Sequence, residues 1–186
     1  MSGAPGSGKS TTAELLRPSI VGAVVIDHDI IRSTILIEDG ISFDQAASIA
    51  YRLQWALAEA MVKQELSVIV DSICNYQEIL DTGIKLAETY NCDYWYIECR
   101  AHVHDMDLLD ERLRKRVPLR SQRTGVDQPP LDARGTRHVE DSRATFTKWI
   151  EHPCRPDDNR VNVIVVDSAG NSEENRDYIL KQIFHG

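Results

Sequence analysis

The chain has 186 residues, of which 42% are apolar and 27% charged, and a formal net charge of −8. This length suits one α/β domain with a single core and is short for two. The acidic surplus argues against extended nucleic-acid binding, which needs excess Lys and Arg, although one phosphate end can still be gripped locally.

The chain opens on Gly3-Ala4-Pro5-Gly6-Ser7-Gly8-Lys9-Ser10, and a short helix is predicted over 9–16, closed by Pro18. Residues 23–26 form an apolar, β-branched run ending at Asp27, the pattern of a buried strand. Ser42 with Gln45 three residues on reads as a capping box. It predicts a helix to about Lys63 with Phe43, Ala46, Ala50, Leu53, Leu57 and Met61 along one face. A strand follows over 67–70, ending at Asp71, then a helix over about 76–90, a strand over 94–99 and a charged helix over about 105–116. Residues 117–137 contain Pro118, Gly125, Pro129, Pro130 and Gly135, a loop long enough for a functional lid. A helix around 139–151, a strand over 161–166 and a helix over about 172–184 complete the chain. Alternating strands and helices predict an α/β three-layer sandwich, a mostly parallel sheet with helices on both faces, in one domain spanning 1–186 with a lid at about 112–137.

No apolar run reaches the roughly 20 residues that cross a bilayer, and we expect neither a leader nor a membrane partner. Cys74, Cys92, Cys99 and Cys154 show no paired spacing and read as reduced thiols, mostly in the core. Reduced thiols predict a cytoplasmic setting.

The opening segment satisfies G-x-x-x-x-G-K-[ST] without deviation. Its glycines allow backbone angles other residues resist, so amides can surround an anion at the positive end of the following helix. Gly3, Pro5, Gly6, Ser7, Gly8, Lys9, Ser10 and Thr11 are therefore the predicted nucleotide-binding residues, for ATP or GTP. Lys9 would reach the β- and γ-phosphates, Ser10 would offer its hydroxyl to Mg²⁺, and Thr11 would lie on the α-phosphate side. Such a loop is normally fed by a buried central strand, but only Met1 and Ser2 precede Gly3. The first strand is therefore read as missing. Truncation of the sequence is the favoured explanation, because a gap at the centre of a sheet strips its neighbours of ladder partners.

Phosphoryl transfer also needs a group to orient or deprotonate the acceptor and one to hold the metal. Asp27-His28-Asp29 ends the first predicted strand, at the edge that faces ligands in open α/β sheets. Asp29 is the candidate base, Asp27 and Arg32 are candidate acceptor ligands, and His28 is read as solvent-facing. The plainer alternative for Asp29 is a helix cap. Asp71 is a candidate for both metal and acceptor, with Asn75 beside it, or else Asp71-Ser72 merely starts a turn. His102 and His104 lack companions for a metal site. Arg112, Arg114, Lys115, Arg116, Arg120 and Arg123 crowd twelve residues of an acidic chain. Arg116 and Arg120 are the candidate catalytic cations of the lid and Arg123 a nucleotide ligand, whereas Arg114 and Lys115 suit a solvated face paired with Asp107, Asp110 and Glu111.

Together, residues 3–11, the run Val25-Ile26-Asp27-His28-Asp29-Ile30-Ile31-Arg32, the run Val68-Ile69-Val70-Asp71-Ser72 with Asn75, and the arginine-rich lid resemble the zeta toxins and the kinase domain of phage polynucleotide kinase, among the AAA-type small P-loop phosphotransferases. The resemblance implies Asp29 as general base towards a hydroxyl, with Lys9 and lid arginines stabilising the transferring group. It also implies a strand order 2-3-1-4-5, and places residues 167–171 near the nucleotide base, where a plain tight turn is the alternative. Adenylylsulfate and gluconate kinases carry a similar Asp-x-Asp, so the acceptor, a small molecule or a nucleic-acid end, stays open. The expected activity is an ATP- and Mg²⁺-dependent kinase. The rival readings are a nucleoside triphosphatase and a non-catalytic nucleotide binder.

Overall fold

The computed structural model describes residues 1–133, 142–157 and 161–185. In chain order the elements are α1 (Lys9–Leu16), β1 (Ala23–Asp27), α2 (His28–Ile35), α3 (Phe43–Val62), β2 (Ser67–Asp71), α4 (Gln77–Tyr90), β3 (Trp95–Arg100), α5 (Met106–Lys115), α6 (Ser142–Glu151), β4 (Asn162–Asp167) and α7 (Ser172–His185). Apart from α2, which the sequence raises only through a cap at Asp29, and the start of α6, each sits within a residue or two of its sequence expectation. For the predicted helix around 139–151, residues 139–141 lie outside the described residues, as do 134–137 of the lid.

The strands form two parallel pairs. β1 pairs with β2 from Ala23 opposite Ser67 to Asp27 opposite Asp71. β3 pairs with β4 from Trp95 opposite Asn162 to Arg100 opposite Asp167. Met1 and Ser2 lie between the pairs. The Met1 ammonium donates to the Val70 carbonyl at 2.8 Å. Ser2 N–H donates to Ile97 O at 2.7 Å, and Cys99 N–H donates to Ser2 O at 2.8 Å. The spatial order is thus β1, β2, the N-terminal dipeptide, β3, β4, so two residues stand where the expected central strand would lie. They bring Gly3 directly to the carboxyl edge of the sheet.

Side-chain alternation along β3 assigns the layers. Ile97 and Cys99 join Leu16 of α1, Ile164 and Val166 of β4 and Ile179 of α7 in one apolar cluster. Tyr96 instead packs with Cys74 and Leu80 of α4. A third cluster joins Leu109 and Leu113 of α5 to Val126, Phe146 and Ala4, anchoring the lid base against the phosphate loop. Cys74 and Cys99 are buried, Cys154 is half-buried and Cys92 exposed, all as free thiols, so the core holds two of the four cysteines.

The face of α3 differs from expectation. Ala46, Ala50, Gln54 and Ala58 are its buried residues, while Leu53 and Leu57 are 44% and 42% exposed. Strict four-residue spacing keeps small side chains on one stripe, and each leucine lies one position, about 100°, away. Helix α3 packs against α2, β1, β2 and α4, and the alanine stripe rather than the leucines is the face it buries. The capping box forms as read, with Ser42 Oγ accepting from Gln45 N–H and Gln45 Oε1 accepting from Ser42 N–H. Ser42→Ala should destabilise the fold by about 1 kcal/mol, read as a lower urea midpoint at unchanged slope. An unaltered midpoint would show that tertiary packing alone holds α3.

Candidate functional site

The phosphate loop rests on close backbone approach. Gly3 has φ 139°, and a Cβ there would stand 2.4 Å from Cys99 O and 2.6 Å from Ser7 Oγ. Gly8 caps α1 at φ 89°, a left-handed conformation that turns the loop into the helix. Lys9 Nζ donates to Ala4 O at 3.2 Å and reaches over the loop.

A cavity of about 760 Å³ opens at the carboxyl edge of the sheet. Pro5, Gly6, Ser7, Gly8, Lys9, Ser10 and Thr11 form its floor, and Asp27, Asp29, Arg32, Asp71 and Asn75 line one wall. Arg112, Arg116 and Arg123 line the lid side, and Ser168, Ser172 and Asn175 the far end. Two of the sequence candidates do not line it. Gly3 lies beneath the floor against β3. Arg120 pairs with Asp132 at 2.8 Å instead of turning inward, because a carboxylate of the lid itself lies within reach.

The two acids after β1 take different tasks. Strand alternation ends at Asp27, because α2 begins at His28. Asp27, not Asp29, is therefore the cap, its Oδ1 accepting from Asp29 N–H at 2.7 Å and Ile30 N–H at 3.2 Å. Burial, together with the charge of Asp71 opposite it in the ladder, pushes its carboxyl up to about 6 against the pull of the Ile30 amide. Asp29 is left free of capping. One carboxylate oxygen accepts from Ser121 Oγ–H and the other from Gln122 Nε2–H, both at 3.0 Å.

His28 is not solvent-facing. It is 5% exposed, with Nδ1 3.1 Å from Gln54 Oε1 and its ring 4.1 Å from that of Tyr51. The α2–α3 contact encloses it, and burial lowers its pKa, favouring the neutral ring. Arg32 donates to Phe43 O at 3.0 Å and lies 3.6 Å above the Phe43 ring, with no hydrogen bond to Asp29. Arg116 donates to Arg123 O at 2.9 Å. Arg123 is built into the lid. It donates to Gly125 O and Val126 O, lies about 5.5 Å from the rings of Phe146 and Trp149, and is lowered to about 10 by burial. Arg114 and Lys115 pair with Asp110 and Glu111, the solvated face expected of them. His102 and His104 stack on each other, and among the described residues no cluster of His, Cys, Asp and Glu suits a metal.

Sequence reasoning assigns no role to three residues of the site, although Arg112 stands in the basic cluster. Arg112 Nη1 bridges Gly6 O at 3.3 Å and Ser168 O at 2.8 Å, tying the phosphate loop to the turn after β4. Its i, i+4 relation to Arg116 was the available signal. Ser121 and Gln122 are uncharged loop residues, and nothing local marks them. In the turn itself, Asp167 and Asn171 accept from Ala169 and Glu173 amides, the tight-turn geometry, while Ser168 lines the cavity.

Electrostatics single out this cavity. Among the described residues, six of the eight buried side-chain polar atoms without a hydrogen-bond partner belong to its lining: Ser7 Oγ, His28 Nε2, Arg32 Nε, Ser72 Oγ, Arg116 Nε and Ser168 Oγ. Lys9, Arg32, Arg112 and Arg116 line it with no carboxylate within 4 Å among those residues, whereas Arg17, Lys63, Arg100, Arg114, Lys115, Arg120, Arg143, Arg155 and Arg176 are all ion-paired elsewhere. Unpartnered buried groups are costly, so their concentration marks where an anion fits.

A phosphate loop leading into a helix, parallel strands and helices on both faces define a P-loop kinase-like α/β fold. Solved structures share it. APS kinase CysC of Mycobacterium tuberculosis, in complex with AMPPNP and APS, is 17% identical over 98% of this chain and 94% of its own, with TM-score 0.61. A Chloroflexus aurantiacus protein given a provisional kinase name is 17% identical over 98% and 92%, with TM-score 0.68. A gluconokinase of Sinorhizobium meliloti is 13% identical over 98% and 93%, with TM-score 0.51. No curated protein matches the sequence. The AAA domain profile matches residues 1–140, and the chain belongs to that family.

The raised pKa of Asp27 has a definite sign. A carboxyl that titrates near 6 in the fold and near 3.8 unfolded contributes stability that is full below about pH 4 and lost as pH rises through 6. Asn keeps the capping oxygen and carries no charge. Asp27→Asn, melted in chelator, should exceed the wild-type Tm at pH 8 and match it near pH 4. A lower Tm at pH 8 would contradict the like-charge account.

Proposed function

We propose that the chain is an ATP-dependent kinase that transfers the γ-phosphoryl group to a hydroxyl acceptor, in the manner of the zeta toxin and polynucleotide kinase group. The carrying observation is that a complete phosphate loop, the carboxylate of Asp29, and Lys9, Arg32, Arg112 and Arg116, which pair with no carboxylate among the described residues, line one cavity. Loop amides and Lys9 hold the nucleotide phosphates. Ser10 and Asp71 would hold Mg²⁺, which when bound neutralises charge on the β- and γ-oxygens. Asp29 accepts the proton of the acceptor hydroxyl, and Asn75, Arg32 and Asp27 border the acceptor. Arg116 supplies the lid cation. It replaces Arg120 in that role, since Arg120 points to Asp132. Arg123 supports the nucleotide side by holding the lid backbone, and Ser168 to Asn175 border the base. No described helix is long and apolar enough to cross a membrane, and dependence on ATP fits a cytoplasmic setting.

The acceptor is a small molecule or a nucleic-acid end. The net charge of −8 disfavours a long nucleic-acid track. Nucleoside triphosphate hydrolysis is the second reading, favoured by one observation, that Gln122 lines the cavity where a water could be oriented. Labelled MgATP incubated with nucleosides, 5′-hydroxyl oligonucleotides and sugars should yield a phosphorylated product. Asp29→Asn should slow its formation by roughly 10²–10⁴-fold at nearly unchanged ATP affinity. Free phosphate without product would favour hydrolysis, and no nucleotide binding by calorimetry would leave neither activity standing.

A further inference from the structure

We infer that Ser121 and Gln122 are positioning residues that set the plane of the Asp29 carboxylate, and that Ser33 supplies the proton order that makes this possible. The inference rests on the reading of Asp29 as the base. The hydroxyls assign themselves by donor accounting. Ser33 Oγ accepts from Ser121 N–H at 3.0 Å, and Ser33 Oγ–H donates to Ser121 Oγ at 2.9 Å. The Ser121 oxygen is thereby an acceptor once, and its own proton is left for Asp29, at 3.0 Å from Oδ1 and 3.1 Å from the Asp29 carbonyl. Both serines are buried, at 7% and 6% exposure, so water does not compete for these bonds. Gln122 Nε2–H fixes the second carboxylate oxygen at 3.0 Å, and its own Oε1 is held by Leu119 N–H at 3.1 Å.

The geometry matters for proton transfer. An aspartate side chain has a broad terminal torsion, so a lone carboxylate spends little time aimed at a hydroxyl. One donor on each oxygen stops that rotation and leaves each oxygen a further lone pair for the acceptor. Ser33 lies one helical turn beyond Asp29 on α2, and Ser121 and Gln122 belong to the lid. Docking of the lid on α2 and aiming of the base are therefore one event, and a base aimed only when the lid is down acts only on an enclosed site.

Release of γ-phosphate from MgATP to water, at saturating nucleotide, tests the inference without knowledge of the acceptor. Ser121→Ala and Gln122→Leu should each lower kcat about tenfold with KM for ATP within twofold, and Ser121→Thr, which keeps the hydroxyl, should restore most of it. The decisive readout is non-additivity: Ser121→Ala placed on Asp29→Asn should cost nothing further. Additive losses, or wild-type kcat in Ser121→Ala, overturn the positioning role while leaving the base in place. Wild-type kcat in Asp29→Asn removes the base and this inference together. Hydrogen exchange gives a measurement independent of turnover. Asp29→Ala should speed exchange of amides 119–123, and unchanged exchange there overturns the coupling of lid to base.

Discussion

Uncompensated charge and polarity inside one cavity is the constraint around which this molecule is arranged. Burying a cation or a hydroxyl without a partner opposes folding. The chain is acidic overall and has carboxylates to spare, and elsewhere among the described residues nine of its cations pair with them while Arg52, Lys85, Lys148 and Lys181 stand exposed to solvent. At the carboxyl edge of the sheet they do not. Lys9, Arg32, Arg112 and Arg116 face a common space with orphaned atoms of Ser7 and Ser168. The elements around them hold that space open: the Gly3–Cys99 approach seats the loop against β3, and the α5–α6 cluster seats the lid base against the loop.

The two parallel strand pairs explain how acids come to face the loop. β1 and β2 run in register to Asp27 and Asp71, so both strands end on a carboxylate at the same level. Helix α2 begins at once, and its cap consumes Asp27, which frees Asp29 for other partners. The cap, one of two explanations the sequence offered for Asp29, falls instead to Asp27. The lid supplies the partners of Asp29, while its arginines serve different purposes: Arg123 binds lid backbone, Arg120 binds Asp132, and Arg112 and Arg116 reach the cavity.

Much of this was legible in the chain. β-branched runs ending in Asp, the Ser42–Gln45 capping box and the glycine spacing are local signals, read over a few residues, and each formed as expected. Signals that depend on a neighbour in space were read less well. The buried stripe of α3 follows its alanines rather than its leucines, and the burial of His28 follows from its contact with Gln54 and Tyr51 of α3. Which of six clustered basic residues turn inward depended on where Asp110, Glu111 and Asp132 lay.

The sequence by itself determined the strand and helix order, the phosphate loop and the acids that end the strands, because backbone sterics, capping and periodicity act within a few residues of each other. Only the tertiary structure decided that Met1 and Ser2 stand between β2 and β3, that Arg112 ties the loop to the turn after β4, and that Ser33, Ser121 and Gln122 converge on Asp29. Those contacts join residues from 56 to 106 positions apart, and polar pairing at such range leaves no periodic trace in a single chain.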